Sequence, residues 1–337
     1  MDSSSPSPQP KVIEDCFGVL KLYNDGSIFR SKNTTYEVQT QDDGSTTWKD
    51  CLFDKDNNLQ QRIYKPKSFC FSSSSNDQKL PVVYYFHAGG FCFTSKNAHN
   101  TCLSLCSGLQ AIIICPYYRL APEHRLPAAV EDAVSALKFM QQQVLLCESC
   151  DDEEWVFEGV DSERVFVFGD SSGGNIAHHL AVRLGLGSPE LKPIRVRGYV
   201  LLSPFFGGVN RTKSEEDSPN EDFWSQEIYD QFWRLAVPNG ANRDHPLVNP
   251  FGPESPSLEG VGLDPILVLV GGDEILKDRI EDYAKRMKNM NNNVNYVEFK
   301  GKQHGFFTSN TYLEESRNVT QLVKDFMSAN SKELIQT

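Results

Sequence analysis

The sequence predicts an α/β protein with one doubly wound, mostly parallel sheet. Two observations support this fold class. Short apolar segments rich in β-branched and aromatic residues recur along the chain, and amphipathic helical segments alternate with them. The composition agrees, since 39% of the 337 residues are hydrophobic and 23% are charged, as in folded domains with a substantial core.

Eight segments are predicted to be strands, because most of them are apolar on both faces, as buried parallel strands are. In chain order they are Gly18–Tyr23, Leu59–Tyr64, Pro81–Phe86, Ala111–Tyr117, Arg164–Phe168, Arg197–Leu202, Pro265–Val270 and Asn295–Phe299. Helical segments with one apolar stripe begin at Pro127, at Gly173 and after Asp278, and a last one contains Val319. Residues 1–10 are predicted to be a disordered tail, which leaves residues 11–337 as a single domain.

Charge and cysteine content exclude several classes of function. The formal net charge of −12, from 33 basic against 45 acidic residues, argues against nucleic acid or an anionic membrane as the main partner. No apolar run approaches the roughly 18–20 residues that span a bilayer. The nine cysteines include one C-x-x-C pair, Cys147 and Cys150, without a second pair. We therefore expect no metal and no cofactor.

The same features predict a location. The first ten residues contain neither a basic nor an apolar region, so no secretory signal is expected. Reduced thiols fit a cytoplasmic protein, with the nucleus as an additional location. The sequence carries no signal for the oligomeric state.

The first candidate for catalysis lies where the predicted strand Arg164–Phe168 meets a helix. The connecting residues read GDSSGG, from Gly169 to Gly174, and contain the pattern G-x-S-x-G around Ser171. Between a strand and a helix this pattern is typical of a nucleophile elbow, a turn so sharp that side chains two residues on either side of the serine would clash. The turn lifts the Ser171 hydroxyl out of the sheet, and the N-terminus of the next helix favours negative charge there. The alternative is an ordinary turn of glycine and serine.

A second glycine-rich segment follows the strand Pro81–Phe86. It reads HAGGF at residues 87–91, a variant of the HGGG loop whose backbone N–H groups bind an oxyanion. Glycine suits this place, because a Cβ would block the approach of a substrate carbonyl. We expect the N–H groups of Gly89, Gly90 and Ser172 to form an oxyanion hole. The alternative is a plain glycine turn after a strand.

A serine nucleophile needs a general base at neutral pH. Of the seven histidines, His304 has the expected position, on a loop directly after the last predicted strand. A carboxylate should precede it, on the loop after the strand Pro265–Val270. That loop contains two adjacent candidates, Asp273 and Glu274, and the residues alone do not decide between them.

One stretch, Phe205–Pro253, interrupts the alternation of strands and helices. Its aromatic and apolar side chains include Phe223, Trp224, Ile228, Tyr229, Phe232, Trp233 and Leu235. Two interpretations are open. These side chains belong to the core, or they form a lid that walls an apolar pocket.

Four motifs together resemble the hormone-sensitive-lipase branch of the α/β-hydrolases, and within it the plant carboxylesterases. They are HAGGF, YRLAPE at residues 118–123, GDSSGG and the HGF that begins at His304. The resemblance implies an α/β-hydrolase fold with a helical cap contributed by about residues 11–52 and 205–253. It also implies that the acid opens a D-x-L-x-D pattern, which here reads E-x-L-x-D and begins at Glu274.

The segments around these motifs are similar to a plant carboxylesterase clade that includes a strigolactone-inactivating esterase. This resemblance implies a serine carboxylesterase in which Ser171 is the nucleophile, His304 the base and Glu274 the acid. The partner would be a small apolar ester or lactone, such as a strigolactone-type plant hormone. Two alternatives stay open. Gibberellin receptors share the fold but have lost the histidine, and other plant relatives act as lyases or cyclases.

Overall fold

The structure is a computed structural model that describes residues 9–31, 39–70, 79–95, 97–147, 157, 159–217, 225–311 and 313–331. Most of the predicted tail, Cys150, and the aromatic residues Phe223 and Trp224 lie outside these residues. The described part confirms the predicted α/β fold with a mostly parallel sheet.

Two sheets are present in the described part of the chain. A small antiparallel sheet contains β1 (Val12–Cys16), β2 (Leu20–Tyr23) and β3 (Ile28–Arg30). The main sheet has eight strands in the order β11-β10-β9-β8-β6-β7-β5-β4. Its strands are β4 (Thr46–Asp54), β5 (Leu59–Pro66), β6 (Leu80–Phe86), β7 (Ile112–Pro116), β8 (Val160–Asp170), β9 (Val196–Leu202), β10 (Ile266–Gly271) and β11 (Val294–Phe299).

Helices cover both faces of the main sheet. They are α1 (Lys67–Cys70), α2 (Ala98–Leu109), α3 (Ala128–Cys147), α4 (Ser172–Leu184), α5 (Lys213–Glu216), α6 (Gln226–Ala236), α7 (Lys277–Asn289), α8 (Phe306–Ser309) and α9 (Glu314–Asn330). Alternate residues of β6 belong to two apolar clusters. Val82 and Tyr84 join the side chains of α3, α4 and α7, whereas Val83 and Tyr85 join those of α2 and α9. This alternation makes the fold doubly wound. None of the helices in the described residues has the length and apolar character needed to cross a membrane.

All eight predicted strands are present, but two have a different environment from the one expected. β2 lies in the small antiparallel sheet, and β5 pairs antiparallel with β7. The sequence analysis missed β1, β3 and β4, which are largely exposed and so lack a continuous apolar run. The expected cap segment of about residues 11–52 needs a correction, because β4 is an edge strand of the main sheet. Among the described residues of that segment, β1 to β3 form a sheet of their own.

The strand order determines where the loops with the sequence motifs meet. The strands β6, β8, β9, β10 and β11 run parallel to their neighbours, so their carboxyl ends lie at one edge of the sheet. The HAGGF loop follows β6, the GDSSGG turn follows β8, the acidic loop follows β10 and His304 follows β11. A single edge of the sheet therefore carries every predicted catalytic element.

Candidate active site

Ser171 occupies a sharp turn between β8 and α4. Its backbone has φ 54° and ψ −113°, a strained conformation for a residue with a side chain. The glycines on either side are required sterically. A Cβ on Gly169 would overlap the carbonyl oxygen of Gly173, and a Cβ on Gly173 would overlap the carbonyl oxygen of Phe86. The strand–turn–helix geometry predicted from G-x-S-x-G is therefore present.

His304 and Glu274 both come close to this serine. The Oγ atom of Ser171 lies 3.0 Å from His304 Nε2, and His304 Nδ1 lies 3.6 Å from Glu274 Oε1. All three residues are buried, with exposed fractions of 5%, 7% and 2% for Ser171, His304 and Glu274. In such a line the imidazole can accept the serine proton while the carboxylate stabilises the resulting imidazolium.

The electrostatic environment makes His304 a stronger base than a free histidine. Burial alone disfavours the imidazolium, but hydrogen bonding and negative charge from Glu274 outweigh burial and hold the pKa of His304 above its ordinary value. The charge of Asp170 acts in the same direction. The site is thus arranged to favour proton transfer toward the imidazole.

The two adjacent carboxylates point in different directions. Oε2 of Glu274 accepts a hydrogen bond from the hydroxyl of Ser203 at 2.5 Å and one from the N–H of Gly271 at 3.1 Å. These bonds hold the carboxylate so that Oε1 faces His304. Asp273 is exposed to solvent. Of the two candidates, Glu274 is the one placed to act on the imidazole, as the E-x-L-x-D register implies.

The HAGGF loop has the backbone that an oxyanion hole needs. Gly89 and Gly90 have φ of 133° and 59°, which favours glycine. A Cβ on Gly89 would also overlap the carbonyl oxygen of Phe93, and one on Gly90 would overlap the ring of Phe232. Among the described residues, the N–H groups of Gly89, Gly90 and Ser172 donate to no other backbone group. Their role as donors to a substrate oxygen stays a prediction.

Tyr118 fixes the two donor-bearing loops relative to each other, a role that the sequence analysis missed. Its hydroxyl lies 2.8 Å from the carbonyl oxygen of His87 and 3.3 Å from Ser172 Oγ. Its ring stacks on the imidazole of His87 with centroids 4.4 Å apart. Tyr118 opens the YRLAPE motif, so the signal was present in the sequence, but its partners are remote along the chain.

Asp170 is a second buried carboxyl group that the sequence analysis did not assign. Within the described part of the chain, neither of its oxygens has a hydrogen-bond partner. Burial raises the pKa of Asp170 to about 7, with His304 lowering it and Glu274 raising it further. Burial therefore favours the neutral form of this carboxyl group.

Aromatic side chains wall the site on the side away from the sheet. The ring of Tyr229 on α6 meets His304 edge to face, with centroids 5.6 Å apart. Phe205 stacks on Trp233, also of α6, at 4.0 Å. These side chains are buried in the main apolar cluster, and two of them also lie beside the candidate residues, Tyr229 beside His304 and Phe205 beside Ser171. Their burial agrees with the interpretation of this stretch as core, and the lid that walls an apolar pocket stays a prediction.

Comparison with known proteins finds a family model and relatives that match most of the chain. A family model described as alpha/beta hydrolase fold matches residues 83–308. Carboxylesterase 20 of Arabidopsis thaliana is 36% identical over 292 residues, which are 83% of this chain and 87% of that protein. The gibberellin receptor GID1C of Arabidopsis thaliana is 34% identical over 291 residues, 83% of this chain and 79% of the receptor.

Comparison with solved structures supports the same fold. The crystal structure of EstE1, a thermostable carboxylesterase cloned from a metagenomic library, superposes with a TM-score of 0.71 and 26% identity. The match covers 88% of this chain and 92% of that one. The matched family range contains Ser171, Glu274 and His304. The chain belongs to the alpha/beta hydrolase fold family.

Proposed function

We propose that the protein is a serine carboxylesterase that hydrolyses a small ester or lactone through an acyl-enzyme. The observation that supports this most strongly is the 3.0 Å separation of Ser171 Oγ and His304 Nε2 at a strained turn. Glu274 lies behind the imidazole, where it stabilises positive charge. The similarity to Carboxylesterase 20 over 83% of the chain supports the same reaction class.

The reaction uses this chain's own residues in two half-reactions. Neutral His304 accepts the Ser171 proton at Nε2 while Oγ attacks the ester carbonyl carbon. The predicted oxyanion hole stabilises the negative charge on the carbonyl oxygen, and each such donor is typically worth about 10²–10³ in rate. The imidazolium then gives its proton to the departing alcohol oxygen. Water attacks the acyl-enzyme in the same way, and the acid product leaves.

A hormone receptor is the second candidate, because the gibberellin receptor GID1C is 34% identical to this chain. The histidine that those receptors are expected to lack is present here, and its Nε2 lies against the serine hydroxyl. This observation favours hydrolysis over binding without turnover. The intact set of serine, histidine and carboxylate likewise argues against a lyase or cyclase.

The surroundings of the site favour a small, apolar substrate. Aromatic rings of α6 border the catalytic histidine, and Ser171 is only 5% exposed. We propose that the small sheet of β1 to β3 and α6 together form a cap over the site. A strigolactone-type butenolide lactone is the specific candidate, and the proposed location is the cytoplasm.

The test is hydrolysis by the purified protein of short-chain p-nitrophenyl esters and of a strigolactone-type lactone, with the products identified by mass spectrometry. We expect turnover of the esters and release of the free butenolide ring from the lactone. Ser171→Ala should be inactive while its melting temperature stays near that of the wild type. Tight binding of the lactone without any turnover by the wild type would instead support the receptor function.

A further inference from the structure

We propose that Arg30 is a positioning residue for the loop that follows β6, so that the N-terminal strands take part in catalysis as well as covering the site. This loop, residues 87–93, contains HAGGF and is called the oxyanion loop below. This inference rests on the proposed esterase function. Arg30 is the last residue of β3. Its guanidinium group lies where the small sheet meets the loops that follow β6 and β7.

The oxyanion loop needs external restraint, because its backbone is strained. Three successive residues, Gly89, Gly90 and Phe91, have φ of 133°, 59° and 63°. A positive φ is unfavourable for a residue such as Phe91 and persists only where neighbouring groups hold it. Inside the loop, the N–H groups of Cys92 and Phe93 donate to the carbonyl oxygen of Gly89 at 3.0 and 2.9 Å.

Arg30 supplies restraint from outside the loop. Its Nη1 donates to the carbonyl oxygen of Cys92 at 2.6 Å, and its Nη2 donates to the carbonyl oxygen of Ala121 at 2.5 Å. The N–H of Ala121 in turn donates to the carbonyl oxygen of Phe91 at 2.9 Å. Cys92 therefore closes the turn through its N–H, while Arg30 of the small sheet holds its carbonyl oxygen. The strained segment is fixed on both sides through one guanidinium group.

Glu123 sets the direction of that guanidinium. Its two carboxylate oxygens accept hydrogen bonds from Arg30 Nε and Nη2 at 2.6 and 2.7 Å. The side chains are 30% and 34% exposed, so this ion pair adds little stability of its own. A bidentate pair does, however, fix the plane of the guanidinium. Lysine would keep the positive charge at this position. Its ammonium group lacks the planar set of N–H donors with which the guanidinium reaches two carbonyl oxygens and a carboxylate together.

Loss of the hydrogen bonds of the Arg30 guanidinium should destabilise the transition state more than it weakens substrate binding. If the loop relaxes, the N–H groups of Gly89 and Gly90 move away from the position of the developing oxyanion. Because that charge appears only during reaction, kcat should fall while KM changes little. We expect a decrease of about tenfold for Arg30→Met, less than the roughly 10²–10³ for loss of a whole donor, since both donors remain.

The experiment compares matched ester and thionoester substrates that differ only in the carbonyl atom. Sulfur is a weak hydrogen-bond acceptor, so hydrolysis of the thionoester depends less on the oxyanion hole than hydrolysis of the ester does. The control is Glu14→Gln. Glu14 also lies in the small sheet, but it binds α6 through Gln231 Nε2 at 3.1 Å and Arg234 Nη2 at 3.0 Å. The control variant weakens the attachment of the small sheet to α6 and leaves the hydrogen bonds of Arg30 in place.

We expect the ester-to-thionoester ratio of kcat/KM to fall by about tenfold in Arg30→Met and by an intermediate factor in Arg30→Lys, with no change in Glu14→Gln. If Arg30→Met does not fold, the lysine variant carries the comparison. An unchanged ratio in both Arg30 variants, with an active wild type, would overturn the positioning role alone. An equal fall of this ratio in Glu14→Gln would assign the effect to the attachment of the small sheet and not to Arg30. A wild type that hydrolyses neither ester would refute the esterase function itself.

Discussion

Replacing Glu274 by glutamine removes the charge behind His304, the proposed general base, while keeping the shape of the side chain. At the 3.6 Å separation of the two groups, Coulomb's law with an effective dielectric constant of about 20 gives roughly 4–5 kcal/mol of attraction. Loss of that stabilisation from the imidazolium corresponds to a decrease of roughly 10³-fold in kcat. The carboxylate oxygen that accepts from Ser203 and Gly271 can be replaced by the amide oxygen. The amide NH₂ would then face Nδ1 of His304 and favour the wrong imidazole tautomer.

The neighbouring carboxylate provides the matched control. Asp273 is exposed, so Asp273→Asn should change kcat by tenfold or less. The assay is steady-state hydrolysis of a p-nitrophenyl ester by both variants, with melting temperatures measured alongside to verify folding. A nearly wild-type Glu274→Gln beside an inactive Asp273→Asn would refute the assignment of the acid and the reasoning from side-chain direction.

Three further perturbations follow from the same geometry. Because the pKa of His304 is held above its ordinary value, the acid limb of kcat/KM should lie above pH 6.5, and a profile that is flat from pH 5 to 8 would contradict this base. Burial raises the pKa of Asp170 to about 7 from 3.8, so its contribution to stability falls as pH rises through that interval. In chemical denaturation, Asp170→Asn should therefore gain on the order of 4 kcal/mol relative to the wild type between pH 4 and pH 8, and a constant difference would refute the shift. Gly89→Ala, whose Cβ would overlap the carbonyl oxygen of Phe93, should lose at least about 10² in kcat, and normal activity would exclude this loop as the oxyanion hole.

Local sequence patterns predicted the central strands, and the candidate catalytic residues that they indicated lie close together in the structure. β6, β8 and β10 each end in residues that are buried on both faces, and these appear in the sequence as consecutive apolar residues with a glycine within three residues of their end. The steric demands of the turn around Ser171 restrict which residues can flank it, and this restriction is visible as G-x-S-x-G. The loops after parallel strands meet at one edge of the sheet, so the position of His304 directly after the last strand already predicts that it lies near Ser171.

The features that the sequence did not reveal depend on partners that are distant along the chain. Ser203 binds a carboxylate 71 residues away, and Arg30 binds carbonyls 62 and 91 residues away. No local period or motif encodes such contacts. β4 was missed for a different reason, since it is an edge strand with several exposed residues and has no continuous apolar run. The choice between Asp273 and Glu274 required the turn after β10, which directs one side chain outward and the next inward.

Covalent labelling by a fluorophosphonate ester tests the central claim most directly, because the reagent reacts with a serine hydroxyl only where a base and an oxyanion hole activate it. The account predicts one adduct per chain, located at Ser171 by peptide mass spectrometry. Labelling should be lost in Ser171→Ala and slowed by orders of magnitude in His304→Ala. An adduct on another residue, or no adduct in a folded protein that binds an unreactive analogue of the reagent, would contradict the claim that this turn carries an activated nucleophile.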